Sequence, residues 1–172
     1  MKFVRKFNRE DWFVLTAFLV WRTGLFLIGY LAQNILPFRE SFPYAKSILI
    51  PTGLPVWLWE WGNFDGVHYL TLANSGYDGF GTQVFFPLYP MLANFLTWFT
   101  HNSFISSFLI SNVAILLAGI LLFKLVKRNF NENIARWSIL FLFAFPASFF
   151  FGAIYTESLF LLLVLLSFWK TG

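Results

Sequence analysis

The sequence predicts an all-α protein, a polytopic bundle of transmembrane helices forming a single membrane domain over residues 1–172. Three observations carry that prediction. Hydrophobic residues make up 58% of the chain and charged ones only 12%, a balance foreign to soluble domains. Several apolar runs approach or exceed the roughly 20 residues that cross about 30 Å of hydrocarbon. Lys and Arg stand at the edges of those runs instead of forming a stripe, so the +4 formal charge orients a membrane protein and does not mark a nucleic-acid surface.

The elements follow in order. Residues 12–36 form the first predicted span, too long for the apolar region of a signal peptide and lacking a small-residue cleavage site, so it is read as retained. Residues 37–83 form a loop that Pro37, Pro43, Pro51 and Pro55 break into short pieces. Within it, 66–74 read as a short amphipathic helix stopping at Ser75-Gly76, because glycine is favoured just past a helix end. Residues 84–99 are apolar but hold Pro87, Pro90 and Asn94, which argues for a re-entrant or interfacial segment. Further spans are expected at 104–123, 137–153 and 157–169, about four in all. The last run stops abruptly at Lys170-Thr-Gly and reads as the end of a truncated chain.

Charge placement selects the topology. If 84–99 does not cross, the N-terminus, the loop at 124–136 and Lys170 share one side. That side then holds nine of the twelve Lys and Arg residues; only Arg39 and Lys46 lie in the outer loop, with Arg22 inside the first span. The positive-inside bias therefore places the N-terminus in the cytoplasm and the 37–83 loop outside, across the plasma membrane if the cell is prokaryotic.

With no cysteine, disulfides, thiolate metal sites and cysteine nucleophiles are excluded. Two separated histidines and no clustered carboxylates predict no metal site, and no cofactor is expected. No Gly-rich phosphate loop opens a helix and no G-x-S-x-G occurs, so nucleotide-dependent chemistry is not indicated.

Ionisable residues are scarce, and Asp65 and His68 stand out in Trp61-Gly-Asn-Phe-Asp-Gly-Val-His-Tyr69. If a helix begins at 66, Asp65 is its N-cap and His68 lies about one turn away on the same face. Asp65 equally suits a general base that takes the proton of an attacking hydroxyl, with His68 a substrate contact. Arg22, at the centre of a span, must face protein or a water-lined cavity. It either contacts a lipid phosphate or pairs structurally, with Glu157 or a backbone carbonyl. Glu157 lies where two apolar runs meet, a turn that charge would solvate. Asp78 reads as a turn residue before Gly79, His101 as part of a solvated loop. Glu60, among Trp57, Trp59 and Trp61, reads as part of an interfacial aromatic belt without a catalytic role.

Five motifs in order carry a resemblance: Phe64-Asp-Gly-Val-His-Tyr69, Ala73-Asn-Ser-Gly-Tyr77, Phe85-Phe-Pro-Leu-Tyr-Pro90, Pro146-Ala-Ser-Phe-Phe150 and Tyr155-Thr-Glu-Ser158. Together they resemble the PIG-V type mannosyltransferases of the GT-C superfamily, whose eukaryotic members add the second mannose of the GPI anchor and which has prokaryotic relatives. The family pattern around the first motif is Trp-Asp-Ala-x-His-Phe/Tyr; Phe64 and Gly66 depart from it, whereas Asp65 and His68 match. The resemblance covers nearly all of this chain but only the N-terminal part of a family member. It implies that Asp65 is the acidic residue of the first extracytoplasmic loop on which catalysis depends and that His68, Tyr155 and Glu157 bind substrate; from the residues themselves, Arg22 or His68 is expected to meet the donor phosphate.

The expected function is transfer of mannose, or another hexose, from a polyprenyl-phosphate-linked donor to a lipid or glycan acceptor on the extracytoplasmic face, in contact with membrane lipids and no nucleic acid. A non-catalytic membrane subunit or scaffold of a glycosyltransferase complex is the alternative. A small transporter ranks last, because beyond Arg22, Asn112 and a few serines the spans offer little polarity.

Overall fold

The computed structural model describes residues 8–42, 44–77 and 82–171; Asp78 and the basic Lys2, Arg5 and Lys6 lie outside them. Among the described residues every regular element is helical: α1 (Arg9–Ala32), α2 (Ala45–Leu49), α3 (Val56–Trp59), α4 (Asp65–Ser75), α5 (Leu88–Thr100), α6 (Ser103–Asn129), α7 (Glu132–Ala144) and α8 (Glu157–Thr171). Short 3₁₀ turns occupy Ile50–Thr52, Glu60–Gly62, Thr82–Val84 and Pro146–Gly152.

The long helices begin where their caps dictate. Asn8 and Asp11 form a reciprocal capping box, so α1 starts at Arg9, a few residues before its apolar run. Asn102 Oδ1 accepts from the N–H groups of Phe104 and Ile105 and opens α6. This helix runs past its apolar stretch through Lys124, Lys127 and Arg128, because cations suit a helix C-terminus and find acids there. Lys124 Nζ lies 2.6 Å from Asp11 Oδ1, and Lys127 Nζ bridges Glu10 of α1 and Glu132 of α7.

Those ion pairs fix the direction of packing. They join the start of α1 to the end of α6, while Phe26 meets Phe108 with ring centroids 6.0 Å apart, so α1 and α6 are antiparallel. The described residues between 33 and 102 thus leave and return at one end of the bundle. α5 belongs to that end: thirteen residues give about 20 Å, short of the hydrocarbon thickness. Pro87 and Pro90 do not interrupt α5 but begin it, at the N-cap and in the first turn, where no N–H is needed. Its Leu88, Met91, Phe95 and Trp98 are exposed, while Tyr89 is buried and donates to the Ser107 carbonyl at 2.9 Å.

Among the described residues two helices, α1 and α6, are long and apolar enough to cross a membrane, or three if α7 and the Pro146–Gly152 turn count as one bent span. The span expected at 137–153 is bent by 84° between α7 and the Pro146–Gly152 turn. Pro146 disfavours helical backbone in the residue before it, and Phe145 is extended, with ψ 134°. α8, the expected span at 157–169, is apolar but fifteen residues long. Its first turn and the Pro146–Gly152 turn return to the loop end, where a buried core of Leu49, Val67, Leu70, Tyr89, Phe104 and Ile154 assembles.

Candidate active site

At the loop end a cleft of about 740 Å³ opens between α1, the 60–65 turn and the 149–157 segment. Its walls are Leu25, Ile28 and Gly29 from α1, Trp61, Asn63 and Phe64, and Phe149, Phe150, Ala153 and Tyr155. Among the described residues three carboxylates line it, Glu60, Asp65 and Glu157, and no Lys, Arg or His does. The floor is apolar and the ionisable groups are acids: a site suited to sugar hydroxyls and a hydrocarbon tail, since carboxylates only accept hydrogen bonds.

Asp65 owes its place to a strained turn. α4 starts one residue earlier than the N-cap reading required: Phe64 is the N-cap, in a conformation with φ 52° and ψ −129°, and no side chain caps the helix. Such a backbone costs a non-glycine residue about 1–3 kcal/mol and persists only where its surroundings enforce it. The surroundings are on hand. Asn63 Oδ1 accepts from the Ser41 hydroxyl and N–H, its Nδ2 donates to the Arg39 carbonyl at 3.1 Å, and the Phe64 N–H donates to Ser41 Oγ at 2.8 Å. From the opposite wall Tyr155 donates its phenol proton to the Asn63 carbonyl at 3.1 Å, and the Ile154 N–H donates to the Trp61 carbonyl at 2.8 Å. The carboxylate of Asp65, relieved of capping, makes no hydrogen bond or ion pair among the described residues.

The expected site residues separate into two groups. Asp65, Tyr155 and Glu157 come together in the cleft. Burial, then the charges of Asp65 and Glu157, push the Tyr155 phenol above its usual range, so it serves as a proton donor to Asn63. His68 does not line the cleft. Its ring sits half-buried on the flank of α4 among Phe42, Tyr44 and Phe85, 3.2 Å from the Tyr44 hydroxyl. Arg22 does not line it either. It is 5% exposed, and its guanidinium lies 4.1 Å from the Trp61 ring, 4.3 Å from Phe26 and 4.6 Å from Phe108. Among the described residues none of its nitrogens has a hydrogen-bond partner, and it pairs with neither Glu157 nor a backbone carbonyl there. The cation–π contacts stand in for the missing anion.

Sequence reasoning gave Glu60 no role, yet its carboxylate faces the cleft from the 3₁₀ turn, and burial raises its pKa. The three tryptophans around it pack inward instead of forming a belt: Trp57 on Phe26, Trp59 on Phe38, Trp61 on Arg22. The missed signal was Gly29, whose lack of a side chain makes room for Glu60 seven residues beyond Arg22 on the same helix. No group of three or more metal-ligating side chains gathers among the described residues.

Comparison with known proteins agrees with the motif order. The family profile described as mannosyltransferase (PIG-V) matches residues 13–172. The GPI mannosyltransferase 2 of Drosophila pseudoobscura pseudoobscura is 30% identical over 132 residues, covering 69% of this chain and 28% of the relative. The chain thus spans little more than a quarter of that relative's length. No solved structure matches. An integral membrane protein with this motif order and a profile match over most of its length is a member of the PIG-V mannosyltransferase family.

Proposed function

We propose that this protein is part or all of a membrane glycosyltransferase that moves mannose, or another hexose, from a polyprenyl-phosphate-linked donor to a lipid or glycan acceptor. The observation that carries the proposal is the free carboxylate of Asp65, presented by a strained turn into an apolar cleft. Asp65 takes the proton of the acceptor hydroxyl as its oxygen attacks the anomeric carbon. The bond from that carbon to the phosphate oxygen breaks, and polyprenyl phosphate leaves with the electron pair. Tyr155 holds the turn that aims Asp65, and Glu157 contacts sugar hydroxyls across the cleft. Of the two groups expected to meet the donor phosphate, His68 is reachable on the flank of α4, whereas Arg22 requires the Trp61 ring to swing aside.

The packing supports an extracytoplasmic site. With the basic end of α6 and the start of α1 in the cytoplasm, the 33–102 segment and the cleft face outside, and α5 lies along the interface with its apolar face in lipid. A prokaryotic plasma membrane suits that orientation. The test supplies membranes containing the full-length protein with polyprenyl-phosphate mannose and, separately, with nucleotide-linked mannose. Transfer from the lipid donor alone is expected. Transfer only from the nucleotide sugar refutes the proposal, and transfer only by a larger complex favours the non-catalytic subunit.

A further inference from the structure

We propose that Glu60 is a second substrate carboxylate of this cleft, holding hydroxyls of the acceptor sugar from the α1 wall, and that Gly29 is a glycine in order to admit it. The inference rests on the reading of the cleft as a glycosyltransferase site, and its own observations concern only Glu60 and α1. A Cβ built on Gly29 would stand 2.0 Å from Glu60 Oε1, 3.2 Å from Cδ and 3.8 Å from Oε2. The carboxylate therefore lies against the helix backbone, in space that any other residue at 29 would occupy.

The turn that carries it is rigid. Trp57 packs edge-on against Phe26 and Tyr30, and Trp59 donates its indole N–H to the Leu54 carbonyl at 3.0 Å. The Trp61 carbonyl receives the Ile154 N–H. Glu60 itself is exposed toward the cleft and makes no hydrogen bond or ion pair among the described residues, so both carboxylate oxygens are open to a ligand's hydroxyls.

Chemistry narrows the partner. A carboxylate offers two acceptor oxygens in one plane and binds paired hydroxyls through charge-assisted hydrogen bonds. The donor carries an anionic phosphate, and no cation among the lining residues offsets the acids there. Like-charge repulsion therefore leaves the Glu60 wall to the neutral part of the reaction, the acceptor sugar, whose attacking hydroxyl must also reach Asp65.

The test reads binding, independent of turnover. Octyl α-mannoside serves as the acceptor probe, titrated into the purified full-length protein in lipid nanodiscs. Glu60→Gln keeps the side chain's shape and should weaken the Kd about tenfold. Gly29→Ala should weaken it by a similar factor, because the new methyl displaces the carboxylate. The double variant should bind no worse than either single one. Wild-type protein that fails to bind the probe, a Glu60→Gln Kd within about twofold of wild type, or single effects that multiply in the double variant would each overturn the proposal. Donor turnover measured on the same preparation judges the glycosyltransferase reading separately.

Discussion

Gly152→Ala should destabilise the bundle only while Arg22 is present. A Cβ at residue 152 would lie 2.2 Å from Arg22 Nη1, 3.0 Å from its Cζ and 3.1 Å from Trp21 Cη2. Unstrained contacts need about 3.5 Å, so the guanidinium must withdraw by more than an ångström. It has nowhere free to go, because Trp61, Phe26 and Phe108 enclose it at 4.1–4.6 Å. Any retreat gives up ring contacts worth about 0.5–2 kcal/mol each when desolvated. Overpacking of this kind costs about 1–3 kcal/mol, and the middle of that range is expected here. The assay is a double-mutant cycle in detergent: unfolding of wild type, Gly152→Ala, Arg22→Ala and the double variant, followed by tryptophan fluorescence. In the Arg22→Ala background the cost of Gly152→Ala should fall below about 0.5 kcal/mol. The same cost in both backgrounds would refute the packing of Arg22 against the Pro146–Gly152 turn.

Three further outcomes follow from the same geometry. Tyr155→Phe removes the donor to the Asn63 carbonyl, so unfolding measurements should show a loss of about 1–2 kcal/mol, with transfer falling as the Asp65 turn loosens. Lys124→Met leaves Asp11, 5% exposed, without the cation 2.6 Å away, and should cost about 3 kcal/mol in the same assay. Burial raises the Glu60 carboxyl above 4.5, in a cleft it shares with Asp65 on α4 and Glu157 on α8, while Gly29 on α1 brings no titrating group. As pH falls, Glu60 should therefore protonate before an ordinary glutamate and weaken octyl α-mannoside binding first; in Glu60→Gln a titration across pH should lack that early limb. The sign for stability is the opposite of the usual acid case: the contribution of Glu60 is fully present below 4.5 and is lost as pH rises through its folded value.

Much of this was legible in the chain because the periodic and punctuating residues act locally. The apolar run of α1, the stop of α4 at Ser75-Gly76 and the helical character of the whole follow from hydropathy and one glycine. Gly76, at φ 75°, terminates α4 where the turn needs a positive φ. Asp65 and Tyr155 were marked by motif order, and the fold does bring them to one cleft. What the chain concealed depends on contacts between distant segments. Pro87 and Pro90 looked like breakers and proved to be starters, since proline's meaning depends on which turn of the helix it occupies. Pro146 bent the expected 137–153 span, a local signal that the unbroken hydropathy masked. Helical spacing placed His68 with Asp65, but its ring follows Phe42 and Phe85 away from the cleft, a choice only the tertiary neighbours make. Glu60 was hidden because the residue that explains it, Gly29, lies on another helix.

Transfer by Asp65→Asn protein decides whether the Asp65 carboxylate takes the acceptor's proton. The substitution preserves size, and because the Asp65 carboxylate holds no partner among the described residues, the fold should be unchanged. With polyprenyl-phosphate mannose and a mannoside acceptor, the rate should fall by about 10²–10⁴-fold, the usual contribution of a general base, while acceptor binding stays near wild type. Transfer at an undiminished rate by a folded Asp65→Asn protein would show that Asp65 is not the base.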